Sequence, residues 1–181
     1  TMKKITTVVA LCFLIGTSAY AQKKMTRTGE VKFEASMPSF EEIAANTKTA
    51  SCILDETNGD FVALILVKSF KFKAPLMEEH FNENYMESSK FPKATFKGKI
   101  LNFDKTKMTA TKTPYELEGE LTIHGVTKKI KTKINLELKE GKYNVTAAFI
   151  VKAEDYKIEI PNLVKEKIAK DIDIALHFTL E

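Results

Sequence analysis

The sequence predicts an all-β protein, a single eight-stranded antiparallel β-barrel with short helices. Period-two alternation of apolar and polar residues recurs along the chain, which is the signature of strands with one dry and one wet face. The clearest case is Ile172, Ile174, Leu176, Phe178 and Leu180, interleaved with Asp173, Ala175, His177 and Thr179. About eight such segments follow one another with no internal repeat and no linker. An antiparallel sheet of that size with one apolar face must pack against a second sheet or close on itself, and closing removes the exposed edges.

The chain opens with Lys3 and Lys4, an apolar run from Ile5 to Ile15, and small residues leading to Ala19-Tyr20-Ala21 before Gln22. This is the pattern of a secretory signal, so residues 1–21 are expected to be removed and 22–181 to form the barrel domain, exported to the periplasm or secreted. The run is shorter than the roughly 20 residues of a membrane-spanning helix, and no later segment approaches that length. Leu11 stands where a lipid-anchored signal needs a small residue before the cysteine, which argues against Cys12 as an anchor. The remaining 160 or so residues suit one domain with a sizeable core. Cys52 is the only cysteine left, so the fold has no internal disulfide to lean on.

The strands are read in order. Val31, Phe33 and Ala35 lie on one parity of the first. Ser39-Phe40-Glu41-Glu42 then has capping-box spacing and reads as a short helix through Ile43 and Ala45. Residues 49–54 and 61–72 flank Asp55-Glu56-Thr57-Asn58-Gly59-Asp60, whose Asn-Gly reads as the positive-φ pair of a hairpin. Pro75 opens a helix over 76–86 with an apolar stripe of Met77, Phe81 and Tyr85. Phe96, Gly98 and Ile100 follow, then Tyr115 to Ile123, Ile130 to Leu138, and Tyr143 to Val151. Pro161 suggests a short helix at Leu163, Val164 and Ile168 before the last strand.

For the hairpin of strands five and six, placing Leu121 opposite Ile130 and Leu117 opposite Ile134 unites apolar residues on one face, with His124-Gly125-Val126-Thr127 as the loop. The other face then pairs Glu120 with Lys131 and Glu118 with Lys133. The lysine run from Lys128 to Lys133 reads as a paired sheet exterior.

An eight-stranded barrel is just wide enough to be filled by side chains or to hold one small ligand. Parity assigns Phe33, Leu64, Leu66, Phe70, Phe72, Phe96, Ile100, Leu117, Leu121, Ile134, Ala147, Phe149, Leu176 and Phe178 to the interior, as candidate ligand contacts. Gly98, Gly119 and Ala147, facing inward, are where space would be found. Any cavity is therefore strongly apolar.

Other chemistry finds little support. The net charge of +4 includes Lys3 and Lys4, leaving +2 of mixed lysine and glutamate with one arginine, Arg27. Tryptophan is absent, and the phenylalanines sit at core-like positions, unlike a nucleic-acid surface. His80, His124 and His177 show no metal-ligand spacing, and His124 reads as a turn residue, so neither a metal site nor a cofactor is expected. Cys52 lacks a histidine or cysteine neighbour and reads as a buried small residue. Acid pairs such as Glu41-Glu42, Glu78-Glu79 and Glu154-Asp155 point apart, and there is no nucleophile elbow or phosphate loop. Asn144-Val145-Thr146 matches a glycosylation acceptor only by pattern, inside a strand. Of polar residues, Thr132, Lys68 and Tyr115 fall on the inward parity, and an enzyme would have to use these.

The stretch Leu121-Thr122-Ile123-His124-Gly125-Val126-Thr127-Lys128 resembles the hairpin hallmark of the YceI-like family. Phe70-Lys71-Phe72, Leu76-Met77, His80-Phe81-Asn82, Tyr85 and Phe91-Pro92-Lys93-Ala94-Thr95-Phe96-Lys97-Gly98 are similar to its strand, helix and following strand, and Gly29 to Phe33 to its opening strand. The resemblance implies a lipocalin-like barrel, exported to the periplasm, with members that hold an isoprenoid or similar lipid inside. It implies no catalytic residues. Two departures are the absence of a His/Ser-bearing entry over 29–37 and a helical reading after Ser36 in place of a direct hairpin. The leading expectation is an apolar-ligand binding barrel; a packed barrel acting as a stress-accessory or interaction protein is the alternative.

Overall fold

A computed structural model describes residues 22–181, and the signal-like segment 1–21 lies outside the described residues. Eight long antiparallel strands form the wall: β1 (Lys23–Ser36), β2 (Ala44–Asp55), β3 (Asp60–Leu66), β5 (Lys93–Ile100), β6 (Thr113–Ile123), β7 (Val126–Lys139), β8 (Lys142–Lys152) and β9 (Ile168–Leu180). Their order is sequential, and β1 pairs with both β2 and β9, so the sheet closes and no wall strand is left with a free edge. The two-residue β4 (Lys71–Phe72) pairs with the start of β2. Helix α1 (Pro75–His80) continues through a π-helical turn, Phe81–Tyr85.

Connections alternate between two ends. The β2–β3, β5–β6 and β7–β8 links lie at one end with both termini of the barrel. The β1–β2 turn, the long β3–β5 link with α1, the β6–β7 turn and the β8–β9 link lie at the other.

The β6–β7 hairpin differs from the expected register by two residues. Leu121 faces Lys128, Gly119 faces Ile130, and the charge pairs are Glu120–Lys129, Glu118–Lys131 and Glu116–Lys133. The turn has two residues, His124 and Gly125, with φ of 51° and 73°. Two positive φ values make the turn that matches strand twist, which outweighs the apolar pairing a four-residue loop offers. A two-residue slide leaves each side chain on its original face. Lys131 consequently reaches both Glu116 (2.9 Å) and Glu118 (2.8 Å) on the exterior.

The segment after Ser36 is not a helix but a direct hairpin turn into β2. Ser39 is left-handed (φ 71°), the Ala35 amide donates to the Ile43 carbonyl at 2.8 Å, and Ser36 Oγ accepts from the Ile43 amide at 3.0 Å. Strand pairing thus claims the backbone groups that a capping box would need. The family departure inferred from a helix there disappears with it. In the β2–β3 turn only Gly59 has positive φ (78°); Asn58 instead accepts from the Asp60 amide at 2.8 Å through its side chain. After Pro161 the helix is a single 3-10 turn, Asn162–Val164.

The apolar strand β3 also has the opposite parity to that expected. Phe61 pairs with Gly98, Ala63 with Phe96 and Ile65 with Ala94, so these face inward, while Val62, Leu64 and Leu66 face out and Leu66 is 49% exposed. Every residue from Phe61 to Val67 is apolar, so alternation carries no information here and only the partner strand sets the face.

Candidate functional site

Three aromatic rings divide the barrel interior. Phe61 meets Phe96 with ring centres 6.2 Å apart and Phe178 at 6.4 Å. Phe178 fills the space a side chain on Gly29 would need, with its ring 2.3 Å from that Cβ position. Phe96 does the same over Gly98 and Gly119. These glycines were expected to leave room; the ring of Phe96 occupies it instead. The rings form a floor.

Towards the β7–β8 end the core is solid, with Leu54, Ile100, Leu136, Tyr143, Val145 and Leu180 fully buried. Tyr143 donates its hydroxyl to Glu56 Oε1 at 3.0 Å, and Lys105 Nζ reaches Glu56 Oε2 at 3.1 Å. Burial, then the hydrogen bond to Glu56, pushes the Tyr143 phenol above its usual range. That end is sealed. Cys52 is buried in the same core, and burial pushes its thiol up, which suits a packing residue rather than a nucleophile.

Above the floor lies a cavity of about 170 Å³. Of the expected residues, Phe33, Phe70, Phe96, Leu117, Leu121, Ala147, Phe149, Leu176 and Phe178 line it. Ile100 and Ile134 are buried but do not line it, and Leu64 and Leu66 are on the outer wall. Sequence reasoning missed Ala63 and Ile65, which share the ambiguous strand, and Met86, Tyr156 and Ile158, which arrive from connections where periodicity gives no face.

A second cavity of about 260 Å³ opens outward from the first. The two share Phe33, Phe81, Met86, Ala153, Ile158 and Ile172 in their linings. Phe72, expected inside, lines this outer chamber, as do Met77 and Tyr85 of the helical stripe. Between the chambers Phe33 stacks on Phe81 (5.3 Å) and meets Phe70 and Phe72 edge-on at 5.2 and 5.7 Å. Aromatic faces thus form the passage.

Polar groups are sparse in the inner chamber. Thr95 and Thr132 supply hydroxyls and Lys152 its stem, with its ammonium 3.7 Å from Asp171. Lys68, expected on the inward parity, instead reaches Ser89 Oγ at the surface (3.3 Å), and Tyr115 packs on the core outside the cavity. The outer chamber has Glu41, His80, Tyr85 and Lys167 at its margin. Among the described residues no cluster of His, Cys, Asp or Glu could hold a metal ion.

His124 ties the open-end connections together. Its Nδ1 donates to the Tyr156 carbonyl at 3.1 Å, its Nε2 lies 2.8 Å from Glu87 Oε2, and its ring meets Phe91 at 4.5 Å. The turn residue read from sequence is therefore also a brace between three loops. Gly125 beside it leaves room for Phe91, whose ring is 2.6 Å from where a Cβ would stand.

A closed antiparallel barrel, sealed at one end and opening at the other through an aromatic passage into a dry interior, defines the class. The chain belongs to the YceI-like domain family, which it matches over residues 16–180. Its fold is similar to that of a polyisoprenoid binding domain from Saccharophagus degradans implicated in plant cell wall breakdown (TM-score 0.76, 16% identity, 89% of this chain and 98% of that one). It is also similar to BcnA of Burkholderia cenocepacia (0.68, 16%, 84% and 96%) and to the YCEI protein of Campylobacter jejuni (0.64, 18%, 80% and 88%). No curated protein matches the sequence.

Proposed function

We propose that this chain is an exported carrier that holds an apolar, isoprenoid-like or other lipid chain in the barrel, with no catalytic step. The observation that carries the reading is the dry inner chamber, joined by Phe33 and Phe81 to an outer chamber that opens to solvent. Such a site needs few polar contacts, because each buried methylene contributes about 0.8 kcal/mol before the costs of ordering the chain. Likeness to a polyisoprenoid binding domain supports the same ligand class. The N-terminal segment 1–21 supports export to the periplasm. An open chamber also favours binding over the alternative of a solid-packed interaction barrel.

The test is native mass spectrometry of protein purified from a bacterial periplasm, followed by organic extraction. A stoichiometric co-purified lipid is expected. Protein that emerges empty and fails to take up added isoprenoids or fatty acids would overturn the proposal.

A further inference from the structure

The two most exposed large apolar side chains of the described residues are Leu163 (91%) and Leu76 (60%). Leu163 lies in the β8–β9 link and Leu76 at the start of α1, both at the open end. Phe40 (46%) and Met37 (36%) join them from the β1–β2 turn. Their immediate neighbours Val164 and Met77, and Phe40 itself, line the outer chamber, so these residues form its lip. Other exposed apolar residues, such as Ile150 and Leu66, stand on the barrel wall, away from any opening. Leu163 and Leu76 line neither chamber.

We propose that this lip docks on a phospholipid bilayer, with Leu163 and Leu76 entering the interfacial region so that a lipid passes between membrane and barrel without crossing water. The proposal rests on the carrier reading. Three connections contribute to the lip, and the dry channel continues directly from it, so the partner that fits is one whose own interior is apolar. A bilayer has that interior and is where a water-insoluble chain resides. Charge fits the same occupant on the Leu163 side. The link carries Lys157, Lys165, Lys167 and Lys170 against Glu159 and Glu166. Ion pairs flanking it, Lys128–Asp155 and Lys152–Asp171, use lysines of the strands instead. Lysines beside an apolar prong can lay their stems along the interface and reach headgroup phosphates. Across the mouth, Glu42 is paired with Lys73, so that side offers anionic lipid little. Insertion therefore leads, and anionic lipid strengthens it.

The test is flotation of purified protein with vesicles of phosphatidylcholine, alone or mixed with phosphatidylglycerol, alongside uptake of an isoprenoid alcohol delivered from detergent. The wild type is expected to float with both vesicles, more with the anionic mixture. Combined L76D and L163D should weaken flotation about tenfold or more while leaving uptake from detergent and the thermal unfolding midpoint unchanged. Wild type that does not float, or a variant that floats as well as wild type, overturns docking whatever the uptake. Loss of vesicle binding together with a self-association that L163D abolishes would make the lip an interface between copies and also overturn it. Failure of uptake by the wild type would count against the carrier reading alone.

Discussion

The ring of Phe96 lies against the bare backbone of Gly119. A Cβ placed on Gly119 would stand 2.7 Å from Phe96 Cζ and 2.3 Å from the Lys97 carbonyl oxygen. The carbonyl cannot yield without disturbing the β5–β6 ladder. Gly119→Ala is therefore expected to destabilise the barrel by about 1–3 kcal/mol through overpacking. Phe96→Ala should cost about 3–5 kcal/mol and deepen the chamber. Urea unfolding of the two variants checks both values.

At the sealed end, the raised pKa of Tyr143 makes stability sensitive to alkali. The folded phenol keeps its proton at a pH where the unfolded one, near about 10, has lost it. The folded state then binds more protons, so stability is fully present below the unfolded pKa and falls as pH rises above it. Tyr156, also raised by burial, adds to the effect. Tyr143→Phe should flatten the alkaline decline, as read from unfolding midpoints across that range.

His124 braces three connections at the open end. His124→Ala removes its contacts with Glu87 and the Tyr156 carbonyl and its packing on Phe91. A loss of about 1–3 kcal/mol is expected. Hydrogen exchange should quicken first in the segment 87–92 and around Tyr156, with the wall strands still protected.

The parity of β3 can be tested on adjacent residues. Ile65 lines the inner chamber and Leu66 faces outward. Ile65→Ser should weaken isoprenoid uptake, whereas Leu66→Ser should leave it unchanged and alter stability by no more than about 0.5 kcal/mol. The reverse pattern in a binding assay would restore the parity that sequence alone suggests.

These residues mark where sequence is informative. Alternation in β1, β5, β6, β8 and β9 places Phe33, Phe96, Leu117, Phe149 and Leu176 inside because polar residues interrupt the apolar ones. In β3 no polar residue does so, and the face is decided by β5, a long-range pairing invisible to a local pattern. The capping-box spacing at Ser39 misleads for a related reason: the hairpin partner takes the backbone groups first. Charge complementarity at β6–β7 is satisfied in registers two residues apart, so the two positive φ values at His124 and Gly125 make the choice. The floor escapes a local reading altogether, since a glycine reads as space until the ring that fills it is known.

Ala147 faces the inner chamber between Ile134 and Leu176, where added volume meets the ligand rather than backbone. Calorimetric titration of delipidated wild type and Ala147→Leu with a long-chain isoprenoid alcohol, at several temperatures, tests the central claim most directly. Saturable uptake by the wild type with a negative heat-capacity change is expected, as for burial of an apolar chain, and at least about tenfold weaker uptake by the variant at similar thermal stability. Equal affinity in both proteins, or no uptake by the wild type, would contradict a ligand seated in the barrel.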